Sequence, residues 1–275
     1  MDPLDRGFRR RSVWNRLLVV FSMALVAVAG YYGARSYTPV PVLAGPPLRI
    51  TPQQEASLGL QAAPAMAERH GGLSADQNAQ RLADRICHDL VEKTTAKASP
   101  YDFDCHVLAD EAVVDAFALP GGQVFVTQGL VARLQTDGQL AAVLAHQIGH
   151  VVARHGAEHV AEIQLSRGLT GATVLASYDP ENPASRHTAD VDALVGRLID
   201  LRFNQRDERE ADRLGARYLS EAGWNPGEMA EALKVLEASA PGAGLFKTHP
   251  SPPDRLQNLQ AAIRQDAAKL ASTGR

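Results

Sequence analysis

The chain has 275 residues, of which 45% are hydrophobic and 21% are charged, so it can bury a sizeable core and is not an intrinsically disordered segment. Its formal net charge is -3, but residues 1–35 contain six arginines and two aspartates (+4), so the other 240 residues carry -7. A mildly acidic body does not attract phosphate backbones, and we therefore expect no nucleic acid partner.

The N-terminal region has the pattern of an export signal. Arginines precede an apolar run at residues 17–29 (LLVVFSMALVAVA), and Ala27-Val28-Ala29 offers a small-residue cleavage site. Extended to Ala34, the run is just long enough for a membrane span. Residues 1–34 are therefore predicted to be a signal peptide or an N-terminal membrane anchor. In both cases the body is exported, and is expected to be periplasmic or anchored in the inner membrane outside the cytoplasm.

Residues 35–50 contain four prolines and are predicted to form a stiff tether. Residues 51–275 are predicted to form the folded domain, because Thr51-Pro52-Gln53-Gln54 combines an N-cap, a first-turn proline and a glutamine at N3.

The two cysteines, Cys87 and Cys105, lack the C-x-x-C spacing of redox motifs and of cysteine zinc sites. In an exported body they can form a disulfide. We favour the alternative of two buried thiols.

Hydrophobic periodicity predicts an α+β fold in which helices dominate and a small β-sheet lies beside a buried helix. The helix of residues 138–155 is apolar on most sides, which is typical of a helix in the middle of a domain. The other predicted elements are a helix at 51–69 that is bent or interrupted near Pro64, a helix starting at Ser74, strands at 101–108, 115–119 and 123–127, and helices at 160–177, 190–203, 206–222, 227–238 and 254–272.

Two histidines of the buried helix are candidate metal ligands. His146 and His150 are four residues apart, so they project about 40° apart on a helix and can grip one tetrahedral Zn²⁺. In apolar surroundings a histidine needs a polar partner or a metal. These two residues are therefore the predicted zinc pair.

A second histidine pair has the inverted zinc motif H-x-x-E-H, at His155 to His159. If the helix continued, this pair would face about 180° from the first, so both pairs cannot line one site. Because the surrounding sequence is polar and contains Gly156, we interpret His155 and His159 as part of a solvated face.

Glu208 and Asp212 are candidates for the third zinc ligand and for a carboxylate behind a ligand histidine. They are four residues apart on a predicted helix, so Glu208 can bind the metal while Asp212 hydrogen-bonds a ligand histidine. Without the histidine pair, this charge-rich helix would be interpreted as a salt-bridged surface helix.

The body resembles the HtpX-like and BepA-like zinc metallopeptidases, which are related to the CAAX prenyl protease and the Oma-type proteases. The resemblance covers the whole body and rests on four motifs in order: DAFALPGGQVFVTQGLV at 115–131, AAVLAHQIGHVVARH at 141–155, EREADRLGARYL at 208–219 and THPSPPDR at 248–255. It implies a zincin-like metallopeptidase domain that holds one Zn²⁺ per chain and acts on protein or peptide substrates.

The resemblance also implies residue roles. The implied zinc ligands are His146, His150 and Glu208, and Asp212 would be the carboxylate behind a ligand histidine. The implied substrate-binding edge strand consists of Ala116, Phe117, Ala118 and Leu119. His249 matches a histidine that can approach the zinc and block the open position, although a loop histidine of no such role is an equal alternative. Arg255 matches an arginine of the same closing motif and is expected to be structural.

The chain departs from the family's H-E-x-x-H motif at one position, since Gln147 stands where the general-base glutamate is expected. An amide can hold a water molecule but cannot accept its proton. Loss of a general base typically costs roughly 10²–10⁴ in rate. We interpret the glutamine as a natural variant rather than an engineered substitution.

Two functions are therefore expected to compete. One is a zinc metalloendopeptidase of the cell envelope that acts on unfolded or misassembled proteins and is impaired by Gln147. The alternative is a non-catalytic zinc-binding pseudopeptidase that binds extended peptides in a chaperone-like way. A structural protein without metal is a third, weaker reading.

Overall fold

The computed structural model describes residues 50–166, 196–239 and 244–273. The predicted leader at 1–34, nearly all of the predicted tether and parts of the helices predicted at 160–177 and 190–203 lie outside these ranges. Within the described ranges, no helix combines the length and the apolar character that crossing a bilayer requires.

Helices dominate the described residues, as the sequence predicted, and a small sheet lies among them. The helices are α1 (Pro52–Arg69), α2 (Gln77–Glu92), α3 (Gln128–Val131), α4 (Asp137–Val152), α5 (His155–Ser166), α6 (Gln205–Glu221), α7 (Gly227–Ser239), α8 (Leu245–Thr248) and α9 (Arg255–Thr273), and the strands are β1 (Asp104–Leu108), β2 (Ala116–Ala118) and β3 (Gln123–Thr127). The described residues also include a 3₁₀ turn at Thr95–Ala98 and a helical stretch at 196–199.

The helix starts follow capping chemistry. Thr51 forms a full capping box with Gln54, and α1 then continues through Pro64, so of the predicted bend or interruption there, the interruption does not occur. The start of α2 also differs from the prediction, because Asp76 rather than Ser74 caps the helix by accepting from two backbone N–H groups.

The sheet has the order β1-β3-β2. β1 pairs with β3 in parallel, whereas β2 pairs with β3 antiparallel and lies at the edge. Side chains of a strand alternate between its two faces. Val124 and Val126 of β3 accordingly join the main core with Leu144 of α4, while Phe125 packs in a second core with Met66 of α1.

The main core surrounds α4, in which every residue from Gly138 to Val151 is buried. The helices packed against it include α2, α6 and α7. This arrangement confirms the predicted buried helix beside a small sheet, and it places the two predicted zinc-pair histidines inside the domain.

Cys87 of α2 and Cys105 of β1 form a disulfide. The preference for two free thiols is therefore wrong. The bond joins the helix to the first strand within the main core, where both residues are buried.

Candidate metal centre

α4 brings His146 and His150 together on one face. Their Nε2 atoms are 3.0 Å apart, and the residues are only 7% and 1% exposed. The ring of His150 also stacks on Phe203, with ring centroids 3.7 Å apart. Both imidazoles therefore aim the same nitrogen at one buried point.

Two glycines allow α6 to approach α4 closely. A Cβ atom on Gly149 would lie 2.9 Å from the carbonyl oxygen of Ala211, and one on Gly215 would lie 3.0 Å from the backbone nitrogen of His146. Such contacts are too tight for a larger residue. The backbone approach brings the carboxylates of α6 within reach of the histidines of α4.

Glu208 lies directly beside the histidine pair. Its Oε2 is 3.5 Å from Nε2 of His146 and its Oε1 is 3.4 Å from Nε2 of His150. Asp212, one turn later, lies behind the pair, with Oδ1 2.9 Å from Nδ1 of His146. Glu210 does not join this cluster.

His249 completes the cluster from the loop after α8. Its Nδ1 is 2.9 Å from Oε1 of Glu208 and 3.3 Å from Nε2 of His146, and the residue is 2% exposed. One ligand atom from each of His146, His150, Glu208 and His249 lies within 4.8 Å of the others. Three imidazole nitrogens and a carboxylate oxygen fit the donor preference of a tetrahedral Zn²⁺, so the cluster is a possible metal site.

Arg255 holds the carboxylates of α6 from the opposite side. Its Nε and Nη2 donate to the two oxygens of Asp212 at 2.9 and 2.8 Å, and its Nη1 lies 2.8 Å from Oε2 of Glu208. The arginine is 6% exposed. It is thus a buried cation that faces two buried carboxylates.

The electrostatics keep both carboxylates ionised. Burial opposes ionisation of Asp212, but the charge of Arg255 and the contact with His146 outweigh it and lower its pKa to about 2. Burial likewise opposes ionisation of Glu208, yet His249, His146 and His150 hold its pKa well below the usual value.

The two histidines of α4 differ in their environments. Burial lowers the pKa of His150 well below its ordinary value, which keeps the ring neutral. At His146 burial acts in the same direction, but Asp212 and Glu208 outweigh it and raise the pKa. A neutral imidazole offers the lone pair that a metal requires.

Gln147 is fully buried beside His249. Its Nε2 is 3.2 Å from Nε2 of His249, and its Oε1 has no hydrogen-bond partner. Nε2 of His249 also lies 3.2 Å from the carbonyl oxygen of Ala116, to which it can only donate. Reversing the amide would replace the contact between two donors by one in which the oxygen of Gln147 accepts from Nε2 of His249.

The predicted substrate strand is mostly β2. Ala116, Phe117 and Ala118 form the edge of the sheet, and Leu119 follows the strand, with its N–H donating to the carbonyl of Gln123. β2 lies next to the cluster, since the carbonyl of its first residue contacts His249.

An apolar cavity of about 50 Å³ opens beside His146, Gln147 and His249. Its apolar walls come from α4, α7, α8 and α9, and include Val143, Met229, Leu233, Leu236, Phe246 and Leu259. This cavity could not be predicted from local sequence patterns, because its lining residues come from four separate helices.

His155 is a second feature of the interior that the sequence did not predict. The interpretation of His155 as part of a solvated face is wrong, because the residue is 3% exposed and its Nδ1 lies 3.0 Å from Nδ1 of His150. The two histidine pairs do not lie on one continuous helix, since α4 ends at Val152 and Arg154 adopts a left-handed φ of 63°. His159 is partly buried and its Nε2 contacts Asp207 at 2.9 Å.

The proteins to which this chain is similar include proteases and metallopeptidases. The chain is 32% identical to the β-barrel assembly-enhancing protease of Escherichia coli (strain K12) in an alignment 190 positions long that covers 64% of this chain and 37% of that protein. It is 32% identical to the mitochondrial metalloendopeptidase OMA1 of Schizosaccharomyces pombe over 62% of this chain and 50% of the relative, and 25% identical to the metalloprotease LoiP of E. coli over 70% and 84%.

The chain thus spans little more than a third of the first of these relatives and half of the second. Residues 76–263 match the profile of peptidase family M48, and this match covers more than half of the chain. The chain belongs to peptidase family M48.

Proposed function

We propose that this chain is a zinc metalloendopeptidase of the cell envelope that acts on unfolded or misassembled proteins, and that Gln147 impairs its catalysis. The observation that carries the proposal is the convergence of His146, His150 and Glu208 on one buried point, with Gln147 on the same helix. Two imidazoles and one carboxylate are the protein ligands typical of a peptidase zinc site.

Each residue has a distinct role in this proposal. His146, His150 and Glu208 hold the zinc, and Asp212 fixes the ring of His146 through its Nδ1. Zinc, when bound, supplies Lewis acidity that polarises a peptide carbonyl and acidifies water. Gln147 can hold a water molecule by hydrogen bonding but cannot take its proton, so the metal centre is retained while proton transfer is lost.

Two further features support a peptide as the substrate. β2 is an edge strand, so an extended peptide can add to the sheet through backbone hydrogen bonds. The apolar cavity beside Gln147 suits a small aliphatic side chain of such a peptide. Unfolded proteins expose both extended backbone and apolar side chains.

An envelope location is supported by the export pattern at residues 1–34 and by the disulfide between Cys87 and Cys105, a bond that persists in oxidising compartments. If the leader is retained, it would attach the domain to the membrane. One relative is named for enhancing β-barrel assembly, which supports misassembled envelope proteins as substrates.

A second candidate function is a non-catalytic zinc-binding pseudopeptidase that binds extended peptides. Two observations favour it: Gln147 lacks a proton-accepting group, and His249 occupies the remaining side of the cluster. Peptide binding at β2 requires neither a base nor an open metal position.

The test compares the native protein with Gln147→Glu and His146→Ala for bound zinc and for cleavage of casein. An impaired peptidase binds one zinc, cleaves slowly in a chelator-sensitive way and gains steeply in the glutamate variant. A pseudopeptidase binds zinc and peptide but gives no cleavage in the native form. Zinc content near zero in the native protein, unchanged by His146→Ala, contradicts both.

A further inference from the structure

Nε2 of His150 faces the metal cluster, and its other ring nitrogen, Nδ1, needs a hydrogen-bond partner. Nε2 lies 3.0 Å from Nε2 of His146 and 3.4 Å from Glu208, whereas Nδ1 points away and lies 3.0 Å from Nδ1 of His155. Metal-binding histidines ordinarily donate this second N–H to a carboxylate, a carbonyl or water. Here the neighbour is another buried imidazole.

The proton positions follow from donor and acceptor counting. If Nε2 of His150 gives its lone pair to a cation, its proton is on Nδ1 and must be donated. Nδ1 of His155 is then the acceptor, and the proton of His155 is on Nε2. That nitrogen faces a carboxylate, since Oε2 of Glu210 lies 3.7 Å away at the partly exposed surface of α6.

His155 reaches this position through an unusual backbone turn. A continuous helix would carry the fifth residue after His150 away from it, but the chain breaks at Arg154, whose φ of 63° is rare for any residue other than glycine. Such outliers persist only where surrounding contacts enforce them. The contacts here are direct: Arg154 donates from Nε to Glu55 at 2.8 Å and from Nη2 to the carbonyl of Ile50 at 2.6 Å.

Glu55 is itself fixed. It is 1% exposed on α1 and accepts from the hydroxyl of Tyr101 at 2.6 Å. The turn at Arg154, which places His155 beside His150, is therefore anchored to α1. This helix covers the face of the sheet opposite to the one that packs on α4.

We propose that His155 is a positioning residue that fixes the tautomer and ring orientation of His150, so that Nε2 of His150 is presented to the metal. The Arg154–Glu55 pair holds His155 in place, and the carboxylate of Glu210 is a charged neighbour of its outer nitrogen, at 3.7 Å. This inference rests on the metal centre of the proposed function. It predicts that a ring outside the metal cluster, which contacts His150 from behind, controls metal affinity.

A packing role predicts something different. His155 is buried and its ring lies near that of Phe203, so an apolar residue of similar size would satisfy packing alone. A positioning role requires an acceptor for the N–H of His150. Leucine removes the acceptor, whereas glutamine retains one.

The test measures zinc affinity of the full chain by competition with a chromogenic chelator, for the native protein, His155→Leu and His155→Gln. The leucine variant is expected to bind zinc roughly 10–100-fold more weakly, and the glutamine variant to recover most of the loss. The control is His106→Leu, a partly buried histidine of β1 that contacts Gln123 and Asp104 rather than the cluster, and its affinity is expected to stay native. Native affinity in the leucine variant, or equal loss in both variants, overturns the proposal.

A second measurement needs no substitution. Long-range ¹⁵N–¹H spectra of the histidine-labelled zinc protein are expected to show His155 protonated at Nε2 and bare at Nδ1. The opposite tautomer overturns the proposal even if every variant misfolds. If the native protein binds no zinc and His146→Ala changes nothing, the metal centre itself fails, whereas native binding that is insensitive to His155 refutes the positioning role alone.

Discussion

The side chain of Gln147 contacts Nε2 of His249 at 3.2 Å, so the residue at the general-base position touches the histidine that closes the metal cluster. The same nitrogen of His249 reaches the carbonyl of Ala116 on the edge strand at 3.2 Å. One histidine thus links the cluster, the base position and the strand proposed to receive a peptide. A substrate would have to displace it from both the cluster and the strand.

Removal of His249 is expected to change the rate of peptide cleavage only when residue 147 can act as a base. In a Gln147→Glu background, His249→Ala is expected to raise peptide cleavage about tenfold. This factor corresponds to a site that is open in about one-tenth of the molecules while His249 is present and in all of them without it. In the native background the same substitution is expected to leave cleavage near its low level. Initial rates on casein with zinc in excess measure both, and Lys247→Ala in α8 is the control.

An unchanged rate in the double variant would show that His249 does not obstruct the site. A large rise in the single His249→Ala variant would instead show that Gln147 is not the limiting defect.

The contact between α4 and α6 is predicted to be essential for the metal site. Gly149→Ala would place a methyl group 2.9 Å from the carbonyl of Ala211, forcing the helices apart and moving Glu208 from the histidines. Overpacking of this kind costs about 1–3 kcal/mol of unfolding free energy. We expect that loss in urea denaturation, together with weaker zinc binding.

The matched control is Gly196→Ala, because a Cβ there meets no atom within 4 Å. It should be neutral or slightly stabilising, since alanine favours helix more than glycine does. Equal stability of the two alanine variants would contradict the close-approach argument.

Arg255 is predicted to be needed for folding of the metal-free protein. Arg255→Leu leaves the buried carboxylates of Asp212 and Glu208 without their cation, and removing one partner of a buried ion pair typically costs about 3–5 kcal/mol. Urea denaturation at neutral pH with chelator present measures this loss.

The exposed pair Lys234–Glu231 gives the comparison. Lys234→Gln should change the unfolding free energy by less than about 1 kcal/mol. If Arg255→Leu changed the unfolding free energy no more than this control, the buried ion pairs of Arg255 would not contribute to stability.

Asp115 is predicted to make stability fall as pH rises. Burial raises the pKa of this carboxyl to about 6, although its contacts with Thr248 and the N–H of Ala116 act in the opposite direction. Between about pH 4 and pH 6 the folded state therefore binds more protons than the unfolded state, and the unfolding free energy decreases with pH. A shift from 3.8 to about 6 corresponds to about 3 kcal/mol lost by pH 7.

Asp115→Asn is expected to remove this contribution while its amide oxygen still accepts from Thr248. The variant should gain stability relative to the native protein as pH rises from 4 to 7, measured by urea denaturation of the metal-free forms. A constant difference between the two proteins across this range would refute the raised pKa.

Several elements could be predicted from local sequence because their signals are local. The capping box at Thr51, the strand at 123–127 and the apolar helix with His146 and His150 all depend on residues a few positions apart. The limits of local reasoning appear at residue 154, where a left-handed turn ended α4 and brought His155 into the interior. That turn depends on Glu55, which is 99 residues away in sequence.

The sequence by itself determined the chemistry available to this protein: which residues can bind a cation, their one-turn spacing on a buried helix, and the amide at position 147. Only the tertiary structure decided which of them meet. Glu208 and His249 reach the histidine pair because two glycines let α4 and α6 touch and because the loop after α8 folds back over the cluster. Such approaches depend on backbone contacts between distant segments, and a sequence encodes those only through the packing of the whole domain.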